Sequence, residues 1–224
     1  MIYIVSTPIG NLADITLRAL EVLKKVDLIA AEDTRQTGKL LKRYEIDKPL
    51  TSYFEHNEVV KTQYLINKLK EGKEIALVSD AGTPGISDPG YRIIRACIEN
   101  DIPITHIPGP CALITGLVLS GAPTDEFTFC GYLSKKGGKR KKELAKLKIE
   151  QRTIVLYESC YRIAKLLADI IEVWGDIDII AARELTKMYE ETQRQKVSEL
   201  LEHYQQHKAR GEFVIIIPKQ PAEK

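Results

Sequence analysis

Ile75-Ala76-Leu77-Val78-Ser79-Asp80-Ala81-Gly82-Thr83-Pro84-Gly85-Ile86-Ser87-Asp88-Pro89-Gly90 is an apolar run that breaks into a long loop rich in Gly and Pro. The helical pattern Tyr91–Glu99 follows it directly. A short apolar run bounded by turn residues reads as a buried strand, and Pro89-Gly90 marks the entry to a helix. The unit strand, loop, helix is the building block of an open α/β sheet.

Working outward, the same alternation recurs on both sides. Further strands are expected at Ile2–Ser6, Asp27–Ala31, Leu50–Phe54 and Ile102–Ile107, and Asp14 ahead of Leu17, Leu20 and Leu23 reads as a capped helix. Strand–helix alternation with short connections predicts a mostly parallel sheet covered on both faces. A second series starts after Gly121-Ala122-Pro123-Thr124, with strands at Phe127–Tyr132, Thr153–Tyr157, Ile177–Ala182 and Glu212–Pro218. Its helices are expected at Lys139–Ile149, Tyr161–Trp174 and Val197–Lys208. The stretch Glu184–Lys196 reads either as a helix end or as a strand with a hairpin. The expectation is an α/β protein of two domains, 1–120 and 121–224.

Composition is that of an ordinary globular chain, 44% hydrophobic and 29% charged over 224 residues. No apolar run reaches the roughly 18 residues of a membrane span. The start, Met1-Ile2-Tyr3-Ile4-Val5, reads as a strand and not as a signal peptide, so a cytoplasmic protein is expected. Cys97, Cys111, Cys130 and Cys160 lie far apart, which is neither a disulfide framework nor a zinc pattern. His203 and His207 stand four apart on a predicted helix and read as a solvated face, so no metal is expected. The net charge of +2 hides an uneven distribution. Lys135, Lys136, Lys139, Arg140, Lys141, Lys142, Lys146 and Lys148 fall in one segment against the single acid Glu143, leaving the remainder slightly acidic.

Ligands of open α/β sheets bind beyond the carboxyl ends of the strands. Three loops there are unusually rich in Gly and Pro: Ser6-Thr7-Pro8-Ile9-Gly10-Asn11, Ser79–Gly90 and Pro108-Gly109-Pro110-Cys111-Ala112. Glycine lets backbone approach a ligand and proline limits the ordering entropy. Together the three loops predict one crevice. No G-x-G-x-x-G fingerprint occurs, and after Gly138-Lys139 an Arg140 stands where a phosphate loop needs Ser or Thr. Dinucleotide and triphosphate sites are therefore disfavoured.

These loops, with Ala31-Glu32-Asp33-Thr34-Arg35 and Phe54-Glu55-His56-Asn57, resemble the ribosomal small-subunit methyltransferase I family, within the tetrapyrrole-methylase-like superfamily. The resemblance runs from Met1 to about Pro218. Tetrapyrrole members typically carry a G-x-G-x-G-D-like first loop and a G-D-P element later. Here the first reads Ser-Thr-Pro-Ile-Gly-Asn and the second Gly82-Thr83-Pro84, departures that point to the RNA branch. Members of that branch often continue into a further C-terminal helical segment, whereas this chain ends Lys219-Gln220-Pro221-Ala222-Glu223-Lys224.

The resemblance implies two α/β domains with S-adenosylmethionine held between them, and 2′-O-methylation of a cytidine ribose in 16S ribosomal RNA. Its partner would be ribosomal RNA or the small ribosomal subunit, and its assembly a homodimer. The alternatives are a small-molecule tetrapyrrole or corrin methylase, and a non-catalytic RNA- or cofactor-binding module. The match assigns cofactor binding to Pro8, Ile9, Gly10, Gly82, Thr83, Pro84, Ser87, Pro110, Cys111 and Ala112. From the second domain it assigns Tyr157, Glu158, Arg183, Glu184 and Glu212. Asp80 is placed either as an acceptor for the cofactor or as the cap of its turn, and Asp88 before Pro89 reads as a helix cap.

Methyl transfer to a ribose hydroxyl needs placement and the removal of a proton from a poor acid. Glu32, Asp33, Arg35, His56 and Lys187 are the candidates for that chemistry. Glu32 and Asp33 are expected not both to be structural, since a short strand end needs one cap. The basic segment reads either as a solvated helix face or as a clamp on RNA phosphates, formed by Lys135, Lys136, Lys139, Arg140, Lys141 and Lys142.

Overall fold

A computed structural model of the chain describes residues 1–219 as two compact units, Met1–Cys111 and a second beginning at Ala112. Residues 220–224, the chain end that the sequence reading contrasts with longer family members, lie outside the described residues.

The first unit holds five parallel strands, β1 (Ile2–Val5), β2 (Leu28–Ala31), β3 (Leu50–Ser52), β4 (Ile75–Val78) and β5 (Ile104–Ile107), in the order β3-β2-β4-β1-β5. Because side chains alternate across a strand, each strand feeds two cores. Tyr3, Val5, Ile29, Ala31, Ala76 and Val78 join Ala19, Val22 and Leu23 of α1 (Leu17–Lys25) and Leu40 and Leu41 of α2 (Thr34–Arg43). On the other face Ile2, Ile4, Ala30, Ile75 and Leu77 meet Leu65, Ile66 and Leu69 of α3 (Glu58–Lys70) and Ile93 and Cys97 of α4 (Tyr91–Glu99). This double burial explains the near-continuous apolar runs.

Two expected caps are corrected. Asp14 closes a single 3-10 turn, Leu12–Asp14, whereas α1 is capped by Thr16, whose hydroxyl accepts from the Ala19 amide at 3.1 Å. The cap position of α4 is taken by Gly90, not by Asp88.

The second unit begins with α5 (Ala112–Ser120), residues that fall inside the expected first domain, 1–120. Its helix packs on the second sheet through Gly116, where an added Cβ would stand 2.8 Å from Val214. Arg194 also donates to the carbonyls of Leu119 and Ser120 at the end of α5. The sheet contains β6 (Phe127–Tyr132), β7 (Thr153–Ser159), β8 (Asp178–Arg183), β9 (Glu191–Lys196) and β10 (Glu212–Ile217), in the order β6-β7-β10-β8-β9.

Among the described residues β6 and β7 pair in parallel and the other pairs of this sheet are antiparallel, whereas the mostly parallel arrangement expected of the first series of strands is met in the first unit. The stretch left open in the sequence resolves as a turn followed by β9. That strand pairs antiparallel with β8 from Arg183↔Glu191 to Asp178↔Lys196. Helices α6 (Gly137–Leu147), α7 (Ile163–Trp174) and α8 (Val197–Gln206) complete the unit. Leu144, Ile163, Leu166, Leu167, Ile170, Val197 and Leu200 build its core against Ile154, Leu156, Phe213 and Ile215.

Candidate active site

In the first unit all five strands end at one edge, and the Gly/Pro loops are stitched together there. Thr7 and Gly82 exchange both backbone hydrogen bonds, at 2.9 and 3.0 Å. The Thr7 hydroxyl donates to the Ser79 carbonyl at 3.1 Å. Ser6 and Thr83 share a hydroxyl hydrogen bond of 2.9 Å, and Thr83 donates onward to the Pro110 carbonyl at 3.3 Å. The expected crevice is thus one connected backbone surface. Gly82 sits at φ +88°, where an added Cβ would stand 3.4 Å from Ile9 and 3.8 Å from the Pro110 carbonyl. Only glycine adopts that conformation without strain.

A cleft of about 400 Å³ opens beside these loops, lined by Pro8, Ile9, Gly10 and Asp80 together with Gln36, Thr37, Lys39 and Leu40 of α2. The α2 residues went unnoticed in the sequence, because an amphipathic helix turn carries no sign of which loop it will face. Pro84 is buried, and Ser87 is exposed with φ +65°.

Beside the cleft the acidic residues form a chain. The Asp80 amide donates to Glu32 at 3.2 Å, and the Asp33 amide donates to Asp80 at 2.9 Å. Asp33 caps α2 by accepting from the Arg35 amide at 2.8 Å, and the Arg35 guanidinium grips the same carboxylate at 2.6 Å. Glu32 and Asp33 therefore both have hydrogen-bond partners, and Asp33 is the one that serves as the helix cap.

Arg35 lowers Asp33 to about 2. Glu32 and Asp80 are each shifted upward, chiefly by burial. Asp88, read in the sequence as a helix cap, is the carboxyl most strongly shifted at this edge. Burial, with Glu32 and Asp80 nearby, pushes it up to about 7, against the opposing pull of a hydrogen bond to Ser79. His56 lies in the turn after β3, exposed and edge-on to Phe54 at 6.4 Å.

In the second unit the remaining candidates share one sheet edge. Register places Glu212 opposite Ser159, and Phe213 opposite both Glu158 and Arg183. The Tyr157 hydroxyl accepts from the Leu113 amide at 2.9 Å, and its ring meets Phe129 and Tyr132 edge-on. The Tyr132 hydroxyl donates to Glu212 at 2.9 Å. Arg183 pairs with Glu191 at 2.5 Å, and Lys187 with Glu184 at 2.8 Å. Glu184 and Thr186 hold positive φ of 49° and 64°, the kind of strained turn that occurs at binding sites. A cavity of about 490 Å³ lies here, lined by Arg183, Glu184, Tyr189, His207, Lys208 and Arg210. The rings of His203 and His207 stack at 4.7 Å.

Glu158 is fully buried, accepts from the Ser159 amide and faces Arg162 at 3.2 Å through one carboxylate oxygen, while its Oε2 has no hydrogen-bond partner among the described residues. Arg140 is 4% exposed and locked to Asp169 at 2.6 Å, which withdraws it from any phosphate clamp. Lys141 pairs with Glu172 at 2.7 Å. Lys135, Lys136, Lys139 and Lys142 remain exposed.

A stitched loop edge on a parallel sheet, with acidic groups and no phosphate loop, defines the class: the model of the tetrapyrrole (corrin/porphyrin) methylase family matches residues 1–201, and the chain belongs to that family. Within it, the chain is 48% identical over 225 residues to ribosomal RNA small subunit methyltransferase I of Escherichia coli O157:H7, covering 99% of this chain and 79% of that protein. It is 47% identical over 214 residues to the protein of that name from Thermotoga maritima, covering 96% of each. The chain is thus a member of the ribosomal RNA small subunit methyltransferase I family. The crystal structure of diphthine synthase superposes with a TM-score of 0.76 at 12% identity, over 99% of this chain and 91% of that one. At that identity the likeness establishes the fold.

Proposed function

We propose that this chain transfers a methyl group from S-adenosylmethionine to the 2′-hydroxyl of a cytidine ribose in small-subunit ribosomal RNA. The reading is carried by the loop edge of the first unit, stitched through Thr7 and Gly82, in a chain nearly half identical to small-subunit ribosomal RNA methyltransferases. The residues present suit the cofactor. Gly82 leaves room that a side chain would fill beside Ile9, and the cleft beside it offers loop backbone and the Asp80 carboxylate. The cofactor supplies an electrophilic methyl group on a cationic sulfonium.

Pro8, Ile9, Gly10, Gly82, Thr83, Pro84, Ser87, Pro110, Cys111 and Ala112 are assigned to it by this reading, as are Tyr157, Arg183, Glu184 and Glu212. With the cofactor bound, in-line approach of the ribose hydroxyl would exchange the C–S bond for the new O–C bond, and the hydroxyl proton would leave to a base or to water. Asp33, held near 2 by Arg35, is a poor acceptor of that proton. Asp88, pushed up to about 7, is better matched to take it near neutral pH, and burial shifts Glu32 and Asp80 in the same direction. Arg35, His56 and Lys187 are assigned to RNA placement. Exposed Lys135, Lys136, Lys139 and Lys142 meet the RNA backbone.

The reading includes a cytoplasmic location and a homodimer, the latter checked by light scattering. No helix among the described residues is long and apolar enough to cross a membrane. The deciding experiment incubates the protein with radiolabelled cofactor and undermethylated small ribosomal subunits and maps the labelled nucleotide. Label on a cytidine 2′-oxygen is the expected result. Label on a porphyrinoid acceptor and none on RNA would overturn the reading.

A further inference from the structure

The loop from Leu133 to Lys136 carries two exposed lysines on a backbone held from beneath by buried charge. Arg162 donates to the carbonyl of Leu133 at 2.7 Å and to that of Ser134 at 3.3 Å, while Glu158 faces its Nε at 3.2 Å. Arg140 donates through Nε to Asp169 at 2.7 Å, and its Nη1 reaches the Ser134 carbonyl at 3.5 Å. Glu143 accepts from the Ser134 amide at 2.8 Å, and the Ser134 hydroxyl accepts from the Lys136 amide at 3.4 Å.

Four charged side chains, Arg140, Asp169, Glu158 and Arg162, are thereby committed beneath a surface loop. Burying charge is costly even when it is paired, and apolar packing would hold α6 on α7 at least as well. What apolar packing cannot do is hydrogen-bond the carbonyls of Leu133 and Ser134. The network fixes a backbone path, and the path fixes where Lys135, Lys136 and the first turn of α6 with Lys139 point. Cations that are already placed lose less conformational freedom when they meet phosphate. Among the described residues no ion pair holds Lys135, Lys136 or Lys142, so their charge is directed outward.

We propose that Arg140 and Arg162, anchored by Asp169 and Glu158, are positioning residues for RNA: they preorganise Lys135, Lys136 and Lys139 as one phosphate-binding set. The inference rests on the RNA reading above, and the test separates the two. The variant Arg140→Met/Asp169→Leu removes the buried pair with no change in net charge and leaves every surface lysine in place. Its affinity for a short single-stranded RNA is expected to fall about tenfold, with a shallower log–log salt slope. Binding of S-adenosylhomocysteine and the unfolding midpoint should stay near those of the parent. In single turnover the RNA concentration for half-saturation should rise while the saturated rate holds.

Lys135→Gln/Lys136→Gln should weaken RNA binding by itself, and combining it with the first variant should add little. If the first variant binds RNA like the parent while the lysine variant does not, the lysines act without the network and the positioning role is lost. Should the lysine variant bind RNA normally, the RNA reading of this segment fails and the positioning role with it. Arg162→Lys, which keeps a charge beside Glu158 but loses the fork to both carbonyls, gives the same readout should the double variant fail to fold. Normal RNA affinity in that variant would also overturn the proposal.

Discussion

The carboxylate of Glu184 occupies the space that a side chain at position 211 would need: a Cβ on Gly211 would stand 1.9 Å from Glu184 Oε1 and 2.5 Å from its Cδ. Gly211 also holds φ +78° at the entry to β10, and Glu184 is tied to Lys187 at 2.8 Å. Sterics and hydrogen bonding together fix where this carboxylate sits.

Gly211→Ala should therefore force Glu184 aside and strain the backbone, at a cost of about 1–2 kcal/mol. Part of that cost should vanish in a Glu184→Ala background, because the clash is then gone. A double-mutant cycle by urea unfolding checks this, and strictly additive effects would show that the two residues do not compete for the same space.

Gly82→Val places a branched side chain at φ +88° against Ile9. Cofactor affinity should fall at least tenfold, with stability lower by about 1–2 kcal/mol. Calorimetry with S-adenosylhomocysteine on the folded variant measures it. Parent-like affinity would remove the loop edge of the first unit from the cofactor site.

Asp88 gives a pH signature of definite sign. Its folded value of about 7 lies above the ordinary carboxylate range, so the folded state holds this proton more tightly than the unfolded chain does. The stabilisation is present below about pH 4 and is lost progressively as pH rises through about 7. Asp88→Asn should accordingly gain stability over the parent at pH 8 and gain little at pH 4. Urea midpoints at the two pH values decide it, and a difference independent of pH would contradict the shift.

Alanine variants of Glu32, Asp33, Arg35, His56, Lys187 and Asp88 should separate under single-turnover conditions with saturating RNA and cofactor. A residue that removes the hydroxyl proton should lower the chemical rate about a hundredfold and change its pH dependence. Arg35 or Lys187 acting on RNA should raise the half-saturating RNA concentration instead. Near-parent rates in all six would leave placement by the loop backbones as the source of catalysis.

Strand β4 with its Gly/Pro loop, the buried alternation of Ile2, Tyr3, Ile4 and Val5, and the basic segment of α6 were all legible in the sequence. They rest on local rules: apolar runs bounded by turn residues, side-chain periodicity, and charge that needs no partner to be counted. The family likewise followed from the loops Ser6–Asn11 and Ser79–Gly90, whose residue order is itself the evidence.

Tertiary structure decided what each side chain meets. Asp88 looked like a cap because Asp before Pro often is one, yet Gly90 takes the cap and Asp88 is pressed toward Glu32 and Asp80. Arg140 is indistinguishable in sequence from the lysines around it, but its position on α6 turns it inward to Asp169, 29 residues away. The polar strand β9 was ambiguous because an edge strand with few buried residues lacks an apolar alternation, and only its pairing with β8 defines it. Local rules specify what a segment can form. Burial, and the partner that makes burial of a charge tolerable, depend on contacts between residues far apart in the chain.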